Sequence, residues 1–475
     1  MTIFSDLIKY GEKTALINES DSVSYNELCK TADAISSFIL NDGSDYKSTN
    51  KLIVNFCNNG IESVAGYVAF TQCSERANCA QMLVNHALEP GLRSTLLKSY
   101  KPLYIWINKA SANELCGCIV LFEHLDFVLL KTDYDIDYEL SESLSLLLTT
   151  SGSTGSPKLV RLSDSNIKSN TDSIVEYLAI TSSDKPIMTL PMSYTYGLSI
   201  LNTHLSQGCA VVLTDSKITD RTFWKLFNKT QPTTFGGVPL TYETLELLDF
   251  ESMDVPSLKI LTQAGGRLEP DTAARYAEIC KEKGIKFFIM YGQTEATARM
   301  SYMPPEYLEK KPGSVGIAVP GGRFRLENDG VAVSENAEGE LIYEGANVSL
   351  GYALNCYDLD KDDENCGVLH TGDVAKRDSD GFYYITGRLK RFLKIAGTRV
   401  NLDEVQSLLS AEGYETAVCG SDDSLLVFTT SEKSVPEIKE YVSKKLGISS
   451  AGYKVEYIKE IPRNESGKIM YSSLA

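Results

Sequence analysis

The sequence predicts an α/β protein of at least two domains, and three observations lead to this prediction. Short apolar runs alternate with longer segments of helical period over most of the 475 residues, which is typical of parallel sheets covered by helices. From about residue 313 the pattern changes to short alternating strands and glycine turns, as in "RFRLENDG" and "GFYYITG", which indicates a small antiparallel sheet or a distorted barrel. A final segment of about 85 residues is long enough for a small domain.

The predicted elements follow from the local patterns in chain order. The predicted strands are "KLIVNF" (51–56), "LYIWIN" (103–108), "SLSLLL" (143–148), "PIMTL" (186–190), "AVVLT" (210–214), "LKILTQAG" (258–265) and "KFFIMYG" (286–292). The predicted helices are "NELCKTADAISSFIL" (26–40), "DTAARYAEICKEKG" (271–284), "NLDEVQSLLSAEG" and "VPEIKEYVSKKLG". We expect Asp271 to cap the second helix and Gly284 to end it. The boundary of the final domain is expected near Lys390.

Composition excludes several classes of protein. Lys and Arg number 46 and Asp and Glu 63, and the net charge of −17 argues against broad binding to nucleic acid or anionic membranes. The first residues do not resemble a signal peptide, and no window reaches the roughly 18 apolar residues of a membrane span, so we expect a cytoplasmic protein without membrane insertion. The eleven cysteines lack repeated C-x-x-C spacing and the four histidines form no ligand pair, which favours buried thiols over a metal site.

The stretch "TTSGSTGSPKLVRLS" (149–163) follows a predicted strand and is suited to a polyphosphate. Gly152 and Gly155 allow the backbone N–H groups to approach such a ligand closely. Four hydroxyl groups are available as further donors, on Thr150, Ser151, Ser153 and Thr154. The stretch is not a Walker A loop, because that pattern needs Gly-Lys-Ser/Thr in succession and here Lys158 follows "GSP". A solvated Ser/Gly linker is the alternative for the loop taken alone.

Five further stretches are more informative in their order than singly. They are "AGGRLEP" (264–270), "YGQTEATARM" (291–300), "LHTGDVAKRDSDGFYYITGR" (369–388), "LKRFLKIAGTRVNLDEVQ" (389–406) and "PRNESGKIM" (462–470). With the loop, this set resembles the adenylate-forming (ANL) superfamily of acyl-CoA synthetases, peptide-synthetase adenylation domains and firefly luciferases. The resemblance covers nearly the whole chain. It implies an N-terminal domain of two stacked α/β subdomains plus a distorted β-barrel (1–389), and a small mobile α+β lid (390–475).

The resemblance implies an enzyme, an AMP-forming acid–thiol ligase that uses ATP and Mg²⁺. Such an enzyme joins a carboxylic acid to AMP and then transfers the acyl group to a pantetheine thiol, either of CoA or of an acyl carrier protein. The alternatives are an amino-acid-activating ligase for a carrier protein, a luciferase-like oxygenase, and a non-catalytic nucleotide-binding regulatory protein. Retention of Glu295, Asp373, Arg388 and Lys468 argues against the regulatory protein.

Each motif carries an implied role in this chemistry. Residues 150–155 would hold the β- and γ-phosphates of ATP, with Lys158 ligating them or anchoring the loop. Thr294 would donate to the α-phosphate, and Glu295 would hold Mg²⁺, a hard cation that takes oxygen ligands. Lys468 would stabilise the adenylation transition state when the lid closes. The other expected nucleotide contacts are Gly265, Gly266, Arg267, Tyr291, Gly292, Asp373 and Arg388.

The lid is expected to present a second surface after rotation about Lys390, the position of the family's hinge. The "KIAGTR" loop, with Lys394, Gly397 and Arg399, would then guide the thiol to the acyl adenylate. The surrounding segment "GRLKRFLKIAGTR" is basic in a chain of net charge −17, so it is a candidate docking patch for CoA phosphates or an acidic carrier protein. A solvated basic face is the alternative.

The identity of the acid is expected to depend on "LPMSYTYGLS" (190–199) and on the residues around "LTQAGG". Tyr194 replaces the histidine that many acyl-CoA synthetases have here, and no Asp lies between 190 and 199 to pair with the ammonium of an amino acid. The predicted acid pocket consists of Tyr194, Gly197, Gln263 and Ala264. Its hydroxyl and amide groups favour a small or medium polar carboxylic acid as substrate.

Overall fold

The computed structural model describes residues 2–41, 51–74, 76–115, 117–149, 158–328, 330–333, 337–395, 398–445, 452–464 and 468–474. The chain divides into two compact units. The first contains Met1–Pro312, Ala318–Arg323 and Glu344–Leu369, and the second contains Gly313–Ile317, Phe324–Tyr343 and His370–Ala475. The division of function at residue 390 stays a prediction, because compactness does not test where a lid rotates. In the described part of the chain, no helix has the length and apolar character needed to cross a membrane.

Strands and short helices alternate in the first part of the chain. The strands before residue 150 are β1 (Thr14–Ile17), β2 (Ser22–Ser24), β3 (Lys51–Cys57), β4 (Cys79–Asn85), β5 (Tyr104–Asn108), β6 (Ile119–His124), β7 (Phe127–Lys131) and β8 (Leu146–Thr149). The helices of this part are α1 (Tyr25–Leu40), α2 (Ile61–Ser74), α3 (Pro90–Tyr100) and α4 (Lys109–Ala112).

The alternation continues from residue 158 to residue 312. The strands are β9 (Leu159–Leu162), β10 (Pro186–Ile187), β11 (Val211–Val212), β12 (Thr234–Gly237), β13 (Ile260–Gln263), β14 (Lys286–Tyr291) and β15 (Ser301–Tyr302). The helices are α5 (Asp164–Leu178), α6 (Thr195–Ser206), α7 (Arg221–Thr230), α8 (Pro239–Leu247) and α9 (Pro270–Glu282).

Strands dominate the remainder of the chain. They are β16 (Ile317–Ala318), β17 (Arg323–Asn328), β18 (Val331–Ala332), β19 (Glu338–Glu344), β20 (Gly351–Ala353), β21 (Val368–Arg377), β22 (Tyr383–Arg388), β23 (Phe392–Ile395), β24 (Thr398–Asn401), β25 (Thr416–Ser421), β26 (Ser424–Thr429) and β27 (Tyr453–Tyr457). The two helices are α10 (Leu402–Ala411) and α11 (Val435–Lys445).

Two mixed sheets form the frame of the first unit. One contains the order β15-β14-β13-β12-β10-β11-β1-β2, in which the strands from β14 to β1 are parallel and both end pairs are antiparallel. The other runs β20-β9-β8-β4-β3-β5-β7-β6, with a parallel centre from β8 to β5. Each predicted strand overlaps an observed one, so the α/β fold class is confirmed.

The helix starts include one capping box that was not predicted and one predicted cap that is corrected. Helix α1 begins at a capping box, in which the Ser24 side chain accepts from the Glu27 N–H and the Glu27 carboxylate accepts from the Ser24 N–H. The prediction that Asp271 caps α9 is wrong: Glu269 is the cap position and Asp271 lies in the first turn. Pro270 explains the earlier start, because its fixed φ suits the first helical position. Gly284 follows the helix at φ +69°, as predicted for its end.

The second unit contains antiparallel strands, as the change of pattern near residue 313 predicts. They form a five-stranded sheet in the order β18-β17-β19-β21-β22. Within the described ranges this sheet is open rather than closed into the expected barrel, because its end strands β18 and β22 are not paired with each other. The last part of the unit has a hairpin, β23-β24, and a sheet, β25-β26-β27, which pack with α10 and α11 around Leu393, Leu409 and Val427.

Candidate active site

The predicted phosphate loop connects two paired strands of the first unit. Strand β8 ends at Thr149 and runs antiparallel to β9, which starts at Leu159, with Thr149 opposite Leu159. Six predicted ligands of the loop lie outside the described residues: Thr150, Ser151, Gly152, Ser153, Thr154 and Gly155. Their contact with phosphate therefore stays a prediction.

Lys158, the first described residue after the loop, lies against an aromatic residue that the sequence analysis missed. Its Nζ is 3.3 Å from the centroid of the Tyr352 ring. The Tyr352 hydroxyl donates to Glu295 Oε1 over 2.7 Å. Burial, followed by the neighbouring Glu295 charge, raises the pKa of Tyr352, so the phenol stays a hydrogen-bond donor. Tyr352 thus connects the lysine after the loop to the carboxylate predicted to hold Mg²⁺.

Thr294 and Glu295 lie in a short 3₁₀ turn after β14, where parallel strands of the first sheet end. The Thr294 hydroxyl is 2.9 Å from the Thr195 hydroxyl, at the first residue of α6. The chain then returns along β15, and Gly292 permits this return, since a Cβ at that position would lie 1.7 Å from the Ala298 carbonyl oxygen. Both predicted catalytic groups are therefore held by backbone packing and by specific hydroxyl contacts.

The glycines predicted to approach the adenine are next to the predicted acid pocket. Gly265 has φ +85°, and a Cβ there would lie 2.5 Å from the Tyr194 hydroxyl. Gly266 packs on Pro239 in the same way, at 3.0 Å, and Arg267 is exposed. Tyr291 ends β14 half-buried, and its hydroxyl accepts from the Gln293 amide over 3.4 Å.

Three of the four predicted acid-pocket residues pack closely, and the fourth is a small buried residue. Burial raises the pKa of Tyr194 to about 12, which keeps this phenol neutral. Gly197 is required where it is, because a Cβ would lie 2.3 Å from the Pro191 carbonyl oxygen. Gln263 is fully buried and donates to the Gly266 carbonyl over 2.9 Å, while its Oε1 has no partner among the described atoms. Ala264 is also buried, directly after the end of β13.

In the second unit, Asp373 and Arg388 are directly opposite each other on β21 and β22. Arg388 Nε is 2.9 Å from Asp373 Oδ1, and the Asp373 side chain is buried while that of Arg388 is largely exposed. The guanidinium thereby fixes the orientation of the carboxylate that is predicted to bind the ribose hydroxyls. The structure brings these two predicted residues together, and their contact with a nucleotide stays a prediction.

The other predicted residues of the second unit are less completely described. Lys468 follows residues 465–467, which lie outside the described residues, and its N–H donates to Asn464 Oδ1 over 2.9 Å. Lys394 is exposed on β23, and its N–H donates to Asp422 Oδ1 over 2.8 Å. Gly397 and the side chains of Lys390 and Arg399 also lie outside the described residues.

The donor set at Glu295 suits Mg²⁺ bound together with a nucleotide. No group of three or more His, Cys, Asp or Glu within the described ranges could hold a metal ion by itself. Mg²⁺ needs no such cage, because it keeps several waters and is held by one or two carboxylates plus substrate phosphate oxygens. The half-buried Glu295 carboxylate, fixed by Tyr352, fits that requirement.

Residues 6–353 match the family model of AMP-binding enzymes, and the chain belongs to the AMP-binding enzyme family. A 2-succinylbenzoate–CoA ligase of Bacillus cereus is 28% identical over 349 residues, which are 71% of this chain and 70% of that protein. An oxalate–CoA ligase of Arabidopsis thaliana is 29% identical over 341 residues, 68% of this chain and 66% of that protein. The resemblance to the adenylate-forming superfamily is thus confirmed, and the chain is an AMP-forming acid–thiol ligase.

Solved structures confirm the fold. The O-succinylbenzoate coenzyme A synthetase of Bacillus subtilis in complex with AMP has a TM-score of 0.79 at 22% identity, covering 100% of this chain and 98% of that one. The same enzyme in complex with ATP and a magnesium ion has a TM-score of 0.76 at 21% identity, covering 100% of this chain and 99% of that one. At these identities the likeness shows the fold alone.

Proposed function

We propose that this enzyme adenylates a small polar carboxylic acid and transfers the acyl group to the thiol of CoA or of a carrier-protein phosphopantetheine. The observation that carries the proposal is the joined set at the end of β14, where Thr294 contacts Thr195 and Glu295 is linked through Tyr352 to Lys158. In this set, Lys158 follows the predicted phosphate loop in the chain, and Thr195 follows Tyr194 of the predicted acid pocket. It therefore has the connections that an acid–nucleotide condensation requires.

In the first half-reaction, an oxygen of the substrate carboxylate attacks the α-phosphorus of ATP and pyrophosphate leaves. Thr294 would donate to an α-phosphate oxygen, and Thr195 would hold the Thr294 hydroxyl in position. Glu295, oriented by Tyr352, would hold Mg²⁺, which supplies charge neutralisation between the phosphates. Lys468 would add a positive charge to the transition state.

In the second half-reaction, the sulfur of the thiol attacks the acyl carbonyl, the thiol proton is lost and AMP leaves. We propose that Lys394, Gly397 and Arg399 guide the pantetheine arm after rotation at Lys390. The relatives named above are CoA ligases, which favours CoA as the acceptor. The acids in their names, 2-succinylbenzoate and oxalate, are small and each carries two carboxylates, which agrees with a small polar substrate.

The test is ATP–pyrophosphate exchange with fatty, aryl, hydroxy, dicarboxylic and amino acids, with and without Mg²⁺. We expect exchange with one class of acid, dependent on Mg²⁺ and abolished in Lys468→Ala. Adding CoA or a holo carrier protein to the active combination then identifies the acceptor by thioester formation. ATP binding without exchange for any acid would contradict the proposal and favour the regulatory alternative.

A further inference from the structure

Arg299 is a buried arginine whose charge is not balanced by a carboxylate in the described part of the chain. The residue is 2% exposed. Nη1 donates to the Tyr177 hydroxyl over 3.0 Å and contacts Met290 Sδ at 3.2 Å, and Cζ is 5.1 Å from the centroid of the Tyr196 ring. Nε is buried and has no hydrogen-bond partner among the described atoms.

The described side chains that contact Arg299 are neutral, although a guanidinium cannot lose its proton in a protein. Burial raises the pKa of both Tyr177 and Tyr196, so these phenols carry no charge at neutral pH. Met290 contributes only a thioether, which is a weak acceptor. Leaving a buried charge without a counter-ion costs several kcal/mol, so such a residue needs a function that offsets its cost.

The same chain shows how it compensates arginines that have a structural role. Arg161 is fully buried, and Nη2 pairs with Glu364 over 2.7 Å while its nitrogens also donate to four backbone carbonyls. Arg93 is 7% exposed and pairs with Glu114 over 3.1 Å, with further bonds to two carbonyls. Among the described residues Arg299 has neither a paired carboxylate nor a carbonyl acceptor, so its environment differs from that of these two arginines.

The position of Arg299 connects it to the predicted acid site. Three consecutive residues, the cap Tyr194 and the first two residues of α6, lie beside the groups concerned. The Tyr194 hydroxyl would be 2.5 Å from a Cβ on Gly265, the Thr195 hydroxyl contacts Thr294, and the Tyr196 ring lies beside the Arg299 guanidinium. Arg299 also follows Glu295 by four residues on the chain that returns from the 3₁₀ turn. The Arg299 guanidinium therefore lies beside the residue that follows Thr195 in the chain, and Thr195 contacts Thr294.

We propose that Arg299 is a specificity-determining residue that binds a second carboxylate of the substrate, so that the acid activated here is a dicarboxylic acid. The inference rests on the proposed function and narrows its substrate class. A carboxylate supplies the missing counter-ion and can accept from two guanidinium nitrogens at once, while the Tyr177 hydroxyl helps to fix the orientation of the guanidinium. A monocarboxylic acid would leave the guanidinium unpaired, which is the basis of the discrimination.

The experiment is ATP–pyrophosphate exchange by the full chain with malonic, succinic, glutaric, adipic and phthalic acids. Each diacid is paired with its monoamide, which has nearly the same size but lacks the second charge, and with a monocarboxylic acid of equal length. We expect one diacid to exceed its monoamide by about 100-fold in kcat/KM. In Arg299→Gln the KM for that diacid should rise about 100-fold, while kcat/KM for the monoamide and KM for ATP change by less than about 3-fold.

A second measurement separates substrate binding from a structural role. Thermal unfolding without ligand should show that Arg299→Met is at least as stable as the unmodified protein, because the variant removes an unpaired buried charge. The matched variant Arg161→Met should be strongly destabilised, because it leaves Glu364 and several carbonyls without their donor. An Arg299→Met variant as unstable as Arg161→Met would overturn the proposal.

The exchange results distinguish failure of this inference from failure of the proposed function. If a monocarboxylic acid is exchanged as well as any diacid, and Arg299→Gln does not alter the preference, the inference is wrong and the proposed function stands. If no acid supports exchange, the proposed function is wrong and the inference is lost with it.

Discussion

At the scale of single residues, Tyr352 provides the first prediction. Its hydroxyl bonds Glu295 and its ring lies beside Lys158, so Tyr352→Phe removes the hydrogen bond but keeps the aromatic contact. A hydrogen bond to a charged group contributes about 1.5–3 kcal/mol, so we expect kcat for pyrophosphate exchange to fall roughly 10- to 100-fold. The Mg²⁺ concentration for half-maximal rate should rise, because the carboxylate loses its orientation.

Tyr357→Phe is the matched control for this measurement. Tyr357 is an exposed tyrosine whose hydroxyl donates to Asp137 over 2.8 Å, away from Glu295 in sequence and in contacts. A Tyr352→Phe enzyme with the Mg²⁺ dependence of this control would show that Tyr352 does not position Glu295.

His204 leads to a prediction about pH. It is fully buried on α6, where Nδ1 bonds the Ile200 carbonyl and Nε2 has no partner in the described part of the chain. Burial, assisted by Arg299 and opposed by the Ile200 carbonyl and Asp184, lowers the pKa of His204 to about 4. In the unfolded chain the imidazole has a pKa of about 6.5, so the unfolded state takes up the proton first as the pH falls.

The contribution of His204 is therefore fully present above about pH 6.5 and is lost as the pH falls towards about 4. Between about pH 7 and about pH 5 this residue should remove about 2 kcal/mol from the free energy of unfolding. Urea unfolding at both pH values should show a smaller loss for His204→Gln than for the unmodified protein. The exposed His86, changed to Gln, is the control, and equal pH slopes in all three proteins would refute the prediction.

The predicted site residues belong to short motifs, whereas the residues that were missed contact these motifs from distant parts of the sequence. Thr294 and Glu295 are adjacent, so one short motif reveals both. Tyr352 reaches Glu295 across 57 residues and Thr195 reaches Thr294 across 99, and only the fold determines such pairings. Arg299 lies within the motif "YGQTEATARM", but its proposed role follows from its burial and from the absence of a counter-ion among the described residues. Neither property can be predicted from the local sequence.

At the scale of secondary-structure elements, the return from β14 to β15 is the most sensitive part of the predicted site. Gly292→Ala would place a Cβ 1.7 Å from the Ala298 carbonyl oxygen and 2.8 Å from Arg299 Cα, so backbone must move. We expect a destabilisation of about 1–3 kcal/mol. Since a displacement of about 1 Å can reduce catalysis about 100-fold, exchange activity should fall by a similar factor.

Gly413→Ala separates the effect of position from that of a glycine replacement in general. Gly413 has φ +85° with no atom within 4 Å of a new Cβ, so the change costs only the backbone strain of about 1–2 kcal/mol. Both variants should unfold at lower urea concentration, and only Gly292→Ala should lose exchange activity. Full activity in Gly292→Ala would mean that the turn carrying Thr294 and Glu295 tolerates displacement.

Elements were predictable where one physical signal dominates. The apolar run at 286–292 became β14, and the helix predicted over 26–40 became α1, which begins one residue earlier at Tyr25. The cap of α9 was misread because Asp271 and Pro270 compete as start signals and the proline decides. Closure of the expected barrel depends on pairing between end strands that are distant in sequence, and alternation along each strand does not specify that pairing.

At the scale of the whole molecule, the proposed lid predicts that the two half-reactions respond separately to Lys468. Lys468 belongs to the second unit, where its N–H bonds Asn464 Oδ1 and its C=O accepts from the Asn464 N–H, both over 2.9 Å. Both bonds involve backbone atoms of Lys468, which Lys468→Ala retains. Lys468→Ala should therefore fold normally and lose only the charge delivered to the adenylation transition state.

We expect Lys468→Ala to lower pyrophosphate exchange about 100- to 1000-fold, the size of the loss when one preorganised transition-state contact is removed. Thioester formation from a supplied acyl adenylate should stay within about 3-fold of the unmodified enzyme. In that step the carboxylate no longer attacks the α-phosphorus, so the transition state that Lys468 stabilises does not occur. Lys444→Ala, which removes an exposed lysine paired with Glu440 in the same unit, is the control and should leave both rates unchanged. Equal losses in both half-reactions would show that Lys468 acts on nucleotide binding as a whole, and the proposed exchange of lid surfaces at Lys390 would lose its main support.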